Sequence, residues 1–175
     1  SFYNGLRRQL LNKKPNAAHL DLKELEKDFD VRIITQNVDD LHERAGSSHV
    51  LHLHGELMKV RSMTHEERVY PLSPDNIETS VDTRDEYGDP VRPHIVFFQE
   101  AVPNFDQEAD IFVVIGTSLN VDPAAGLLFY APKNAPIYYI DPRPAAIPEG
   151  VGNVTVIAEP ATVGVRELIE KLKNQ

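Results

Sequence analysis

The fold of this chain is read from Thr35-Gln36-Asn37-Val38-Asp39-Asp40-Leu41-His42-Glu43-Arg44-Ala45-Gly46 and, shortly after it, Leu51-His52-Leu53-His54-Gly55-Glu56. The first stretch begins where the hydrophobic run Val31–Ile34 ends, and carboxamides, carboxylates and histidines follow in close succession. Open α/β sheets build ligand sites in this way, with a buried strand delivering polar groups from its carboxyl end.

Working outward, four further runs have strand character: Val50–Leu53, Ile111–Ile115, Ile137–Ile140 and Val154–Ile157. Three of the five runs are nearly continuous apolar stretches, as parallel strands covered on both faces require. Helical periodicity lies between and around them. Phe2, Leu6 and Leu10 give an apolar stripe over residues 2 to 13, with no capping residue ahead of it. That start predicts that the protein continues upstream. Pro15-Asn16 breaks the chain, and Ala18, Leu22, Leu25 and Phe29 mark a second helix. Asp122-Pro123 suits an N-cap followed by a first helical residue. Val165, Leu168, Ile169 and Leu172 mark a last helix over 162–173. Alternating strands and helices predict a doubly wound, Rossmann-like parallel sheet. It is divided here into residues 1–58 and 94–175, with the polar, turn-rich stretch 59–93 as a small inserted lobe or excursion.

Composition narrows the function. The 175 residues are 41% apolar and 26% charged, as in a globular domain. A net charge of −9 argues against nucleic acid as a primary partner. No apolar run approaches the ~20 residues of a membrane span, and no secretory pattern opens the chain, so an intracellular, cytoplasmic location is expected. With no cysteine, disulfides, thiolate catalysis and Cys-ligated zinc are excluded.

Taken alone, Gln36, Asn37 and Asp39 are compatible with a strand-to-loop turn bonding local backbone. His52 and His54, two apart on a strand, face one side and are compatible with structural histidines or half a metal site, for which no third ligand has convincing spacing. Gly116-Thr117-Ser118 after an apolar run is a common ending at nucleotide sites.

Taken together, Gln-Asn-x-Asp-x-Leu-His-x-x-Ala-Gly, the following His-Gly, and Gly-Thr-Ser-Leu-x-Val-x-Pro-Ala-Ala resemble the sirtuins, NAD-dependent protein lysine deacylases. The resemblance covers roughly residues 2 to 172. It implies that Gln36, Asn37, Val38 and Asp39 line the nicotinamide and ribose end of the NAD site, where amides can both donate and accept. It implies that His54 is the catalytic base that takes a proton from a ribose hydroxyl, with Asn37 beside it in catalysis. It places Gly116, Thr117, Ser118, Asp141 and Ala161 at NAD. His52, His19, His42 and His94 are left to packing or local bonds. Arg92 to Glu100 resembles the strand that pairs with an acyl-lysine peptide, implicating Val96 and Phe98, although Gln99 stands where glycine is expected.

Tyr3 resembles the tyrosine of the Tyr-x-x-Arg pair in sirtuins that remove succinyl or malonyl groups. Here Leu6 holds the arginine position, and Arg7 lies about 100° further round the helix, so acidic-acyl preference should be weakened. Two family features are missing: the Gly-Ala-Gly-x-Ser phosphate loop, which belongs upstream of residue 1, and the four zinc cysteines, the first of which is replaced by Ser62. Without them the sheet should be incomplete at its N-terminal side and the lobe, lacking zinc, loosely ordered. The implied activity is removal of acetyl, or in the subclass succinyl and malonyl, groups from protein lysine. A non-catalytic or truncated nucleotide- or partner-binding module, and NAD hydrolysis or ADP-ribose transfer at the same site, are the alternatives. Oligomeric state is left open.

Overall fold

The structure is a computed structural model that describes residues 1–96, 109–116 and 128–175. In chain order its elements are α1 (Phe2–Leu11), α2 (Ala17–Leu25), β1 (Ile33–Thr35), α3 (Leu41–Arg44), β2 (Val50–His52), β3 (Gly55–Ser62), β4 (Val69–Pro71), β5 (Val91–Ile95), β6 (Phe112–Ile115), a 3-10 turn (Leu128–Tyr130), β7 (Ile137–Ile140), β8 (Val154–Ile157) and α4 (Ala161–Lys173). They fall into two compact units, Ser1–Pro15 with Glu26–Val102 and Asn16–Leu25 with Pro103–Gln175.

In the first unit β1 and β2 pair in parallel, from Ile33 opposite Val50 to Thr35 opposite His52. A core of Leu10, Leu57, Met58 and Ile77 is flanked by Tyr3, Leu6, Val38, Leu41 and Leu72. Helix α1 is fastened by Arg7, whose side chain is fully buried. Its Nε donates to Leu57 O (2.9 Å), and its Nη1 to Asn4 Oδ1 (3.0 Å), Ile77 O (3.2 Å) and Thr79 Oγ1 (2.8 Å). Burial pushes the pKa of this guanidinium down and Glu78 opposes the shift. Arg44 donates to Leu10 O and Lys13 O at 3.1 and 2.8 Å, bonding carbonyls at and just beyond the end of α1. Ser1 stands as the N-cap that the sequence reading did not assign, its Oγ accepting from Asn4 N over a long 3.5 Å.

The largest departure from expectation is the stretch 59–93. Strand β3 crosses its start and lies between β4 and β5, antiparallel to both. The β3–β5 register shifts between Glu56 and Val60. Leu57 and Met58 are consequently both buried, and the alternation that would have announced the strand is lost. The expected looseness is also replaced by specific polar closure. Ser62 is buried and its Oγ accepts from Thr64 N and His65 N, each at 3.2 Å. Asp85 Oδ1 accepts from Tyr87 N and Asp89 N, each at 2.9 Å. Arg68 reaches Asp89 at 3.3 Å and stacks 4.1 Å above the Tyr87 ring. Hydroxyl and carboxylate groups occupied in this way do not fit a thiolate zinc cluster.

In the second unit β6, β7 and β8 form a parallel sheet in sequential order. Its core gathers Val114, Leu128, Ile137 and Tyr139, and the Tyr139 hydroxyl accepts from Ala145 N at 3.1 Å. Helix α4 buries Gly164, Val165, Leu168 and Ile169. Gly164 lies so close to the sheet that a Cβ there would sit 2.3 Å from Ile140 Cγ2. Helix α2 is tied to α4 by Arg166, which bonds Asp21 and, at 2.8 Å, Glu24. The helix expected from Asp122-Pro123 lies outside the described residues.

Arg7→Ala should cost at least about 3 kcal/mol, because each buried acceptor left without a donor costs roughly 1–3 kcal/mol, and chemical denaturation measures the loss. Asp85 gives a pH-dependent counterpart. Burial works against its carboxylate, but the Asp89 and Tyr87 N–H groups, the Tyr70 hydroxyl and Arg68 together hold its pKa below the ordinary value. A carboxyl whose pKa is depressed by folding stabilises at neutral pH and loses that contribution as acid carries the pH through the folded value. Asp85→Asn should therefore melt lower than the parent at neutral pH, with the gap closing below about pH 4.

Candidate active site

The parallel pairing of β1 with β2 sets the geometry of the first unit. Because Thr35 lies opposite His52, the residues after both strands leave from one carboxyl edge. On one side follow Gln36, Asn37, Val38 and Asp39, and on the other Leu53, His54 and Gly55. The loop is held along its main chain. Asn37 N donates to Thr35 Oγ1 at 3.0 Å, Leu57 N donates to Val38 O at 2.8 Å, and Leu41 N donates to Asp39 Oδ1 at 3.1 Å. The side chains of Gln36 and Asn37 are exposed, and no hydrogen bond ties them to another described residue. A pinned backbone with unspent amides suits a polar ligand.

His54 is half-buried, and its Nε2 is shielded from solvent. Its carbonyl accepts from Val96 N at 2.9 Å, just beyond β5. The candidate base and the candidate peptide-pairing residue are therefore joined through backbone. Gly55 makes this approach feasible: its φ is +83°, and a Cβ would sit 2.1 Å from His94 O. Burial, with Arg61 adding to it, lowers the pKa of His94. His19 makes a local bond, its Nδ1 accepting from Asn16 N (3.0 Å) while its own N–H donates to Asn16 Oδ1 (3.1 Å). Tyr3 and Leu6 pack, with Val38, against the same apolar cluster.

Glu43 and Glu56 were not singled out from the sequence, yet they gather at His52. Ligand-capable atoms of the three lie within 4.8 Å of one another. His52 Nε2 meets Glu43 Oε1 and Oε2 at 3.0 and 3.1 Å, and Lys59 pairs with Glu56 at 2.6 Å. Hydrogen bonds and ion pairing account for this cluster without a metal. Its members come from α3, β2 and β3, so no linear spacing announces it.

In the second unit the registers Ile115–Ile140 and Ile140–Ile157 align three carboxyl ends. Gly116 directly follows β6 with φ +61°, and among the described residues nothing lies within 4 Å of where a Cβ would be. Asp141 directly follows β7, with Oδ1 accepting from Arg143 N at 2.7 Å. Ala161 opens α4. An open cradle at a glycine beside a carboxylate with a second oxygen to offer fits a nucleotide. Thr117, Ser118, Phe98 and Gln99 lie outside the described residues.

The Sir2 family model matches residues 1–123. The chain belongs to the Sir2 family. An NAD-dependent protein deacylase of Bacteroides thetaiotaomicron is 49% identical over 181 residues, covering 98% of this chain and 77% of that protein. One of Helicobacter pylori is 48% identical over 180 residues, covering 98% of this chain and 76% of its own length. The crystal structure of a Sir2 homologue in complex with NAD superposes with a TM-score of 0.80 at 30% identity, covering 98% of this chain and 70% of that one. A Sir2 protein bound to acetylated peptide gives 0.72 at 27% identity, covering 95% and 74%. The Rossmann-like α/β fold expected for this Sir2 chain is thus borne out. Among its described residues no helix is long and apolar enough to cross a membrane.

Gly55→Ala would drive a methyl group into the His94 carbonyl and force an L-residue into positive φ. Nicotinamide release from NAD should fall more than about tenfold, as expected when reacting groups are misplaced by as little as an ångström. Steady-state assay of the folded variant checks it.

Proposed function

We propose that this Sir2 chain removes acyl groups from protein lysine at the expense of NAD, releasing nicotinamide and an O-acyl-ADP-ribose. The observation that carries the reading is the pairing of Thr35 with His52, which brings Gln36–Asp39 and His54 out at one edge. NAD, when bound, supplies the ribose carbon at which the acyl oxygen displaces nicotinamide. In this reading Gln36, Asn37 and Asp39 hold the carboxamide and ribose hydroxyls, and the His54 imidazole takes the ribose proton. Val96, bonded to the His54 carbonyl, presents the backbone edge to which an acyl-lysine peptide adds as a strand. Gly116, Asp141 and Ala161 serve the remainder of the nucleotide. A cytoplasmic setting belongs to the same reading, since NAD and lysine-bearing proteins are both available there.

Leu6 bears on the acyl group. It is packed among apolar neighbours beside Tyr3, and Arg7, the nearest cation in sequence, is buried, with its Nε and Nη1 donating to protein acceptors. Leu6 carries no charge for a succinyl carboxylate, and the Arg7 side chain is shielded from solvent, so the acetyl group is favoured.

The test is nicotinamide release from NAD with acetyl-lysine and succinyl-lysine peptides. Peptide-dependent release that falls about 10²–10⁴-fold in His54→Ala, the usual contribution of a general base, is the expected result. Absence of release from the folded parent protein would leave a nucleotide-binding module instead. In the same assay Leu6→Arg should raise desuccinylation relative to deacetylation by roughly tenfold, the worth of about 1.4 kcal/mol.

A further inference from the structure

His52 has no part in the chemistry proposed above, yet its imidazole is bonded at both nitrogens. Its side chain is only 5% exposed. Nδ1 lies 2.9 Å from the backbone carbonyl of Asn37. A carbonyl can only accept, so Nδ1 carries the hydrogen. Nε2 lies against both Glu43 oxygens, at 3.0 and 3.1 Å, with Glu56 farther off at 3.8 Å. The ring is therefore a strut whose far end is held by α3 and whose near end presses on one peptide group.

That peptide group joins Asn37 to Val38. Its neighbours are fixed by Thr35 Oγ1 on Asn37 N and by Leu57 N on Val38 O. His52 fixes the carbonyl between them. Rotation of the Asn37–Val38 peptide would swing the Asn37 side chain away from the edge it shares with His54, and the Nδ1–H bond opposes this rotation. The same logic operates where a carboxylate or carbonyl orients a histidine from behind, except that here the histidine does the orienting.

We propose that His52 is a positioning residue for the deacylation reaction, acting through the Asn37 carbonyl, with Glu43 holding its ring. The proposal rests on the reading that Asn37 works on NAD. Two amide substitutions separate the ends of the strut. His52→Asn places an amide nitrogen where Nδ1 was and keeps a donor for the Asn37 carbonyl. His52→Gln places its amide where Nε2 was and keeps only the Glu43 contact. His52→Ala removes both.

kcat and KM for NAD and for acetyl-lysine peptide are measured for the parent and the three variants, below the lowest melting temperature of the set. The Ala and Gln variants should lose about tenfold in kcat/KM for NAD, with the peptide KM unchanged, and Asn should recover most of the loss. Equal kcat/KM in all four proteins, or recovery by Gln rather than Asn, overturns the proposal. A lowered melting temperature with unaltered kinetics would make His52 merely structural and overturns it too. Should Gln fail to fold, the Asn and Ala variants decide in the same way. An inactive parent protein refutes the deacylase reading itself and is distinguishable from every one of these outcomes.

Discussion

The Arg7 guanidinium is the interaction on which the first unit depends. A fully buried cation is expensive unless hydrogen bonds offset its burial, and here acceptors reach Nε and Nη1 from α1 itself, from β3 and from the 77–79 segment. Leu57 O and Ile77 O belong to stretches 20 residues apart. One side chain thus holds helix, strand and loop in a single arrangement, and two of its acceptors are carbonyls of Leu57 and Ile77, members of the cluster against which Tyr3, Leu6 and Val38 pack.

Above that foundation, both parallel sheets follow one rule. Strands in register end together, and whatever follows them emerges together. His54 and Asn37 share an edge because Thr35 faces His52; Gly116 and Asp141 share one because Ile115 faces Ile140.

Much of this was legible beforehand. The apolar runs at 112–115, 137–140 and 154–157 are strands, and Val165, Leu168 and Ile169 face a core, because burial on both sides of a sheet leaves unbroken hydrophobic sequence. The candidate cofactor residues could be nominated because motif and strand end coincide. Strands β3 and β4 were not legible. A register shift erased the alternation in β3, and β4 is three residues long with a terminal proline. The bonding of Arg7 and His52 was not legible for a different reason. Their roles depend on partners such as Thr79 and Glu43, brought in from other elements, and no local pattern encodes such partners.

The polar closure of residues 62–91 has a consequence for the conditions this protein can withstand. A lobe clamped by thiolates can be opened by peroxide or by electrophiles that alkylate sulfur. Here the clamps are the Ser62 hydroxyl and the Asp85 carboxylate, which such reagents leave untouched, and the chain has no cysteine anywhere. Its two sulfur atoms belong to Met58, buried in the core, and Met63, exposed within the lobe. Oxidative damage to this lobe would therefore have the Met63 side chain as its accessible target, while the Met63 backbone N–H keeps its bond to Pro90 O.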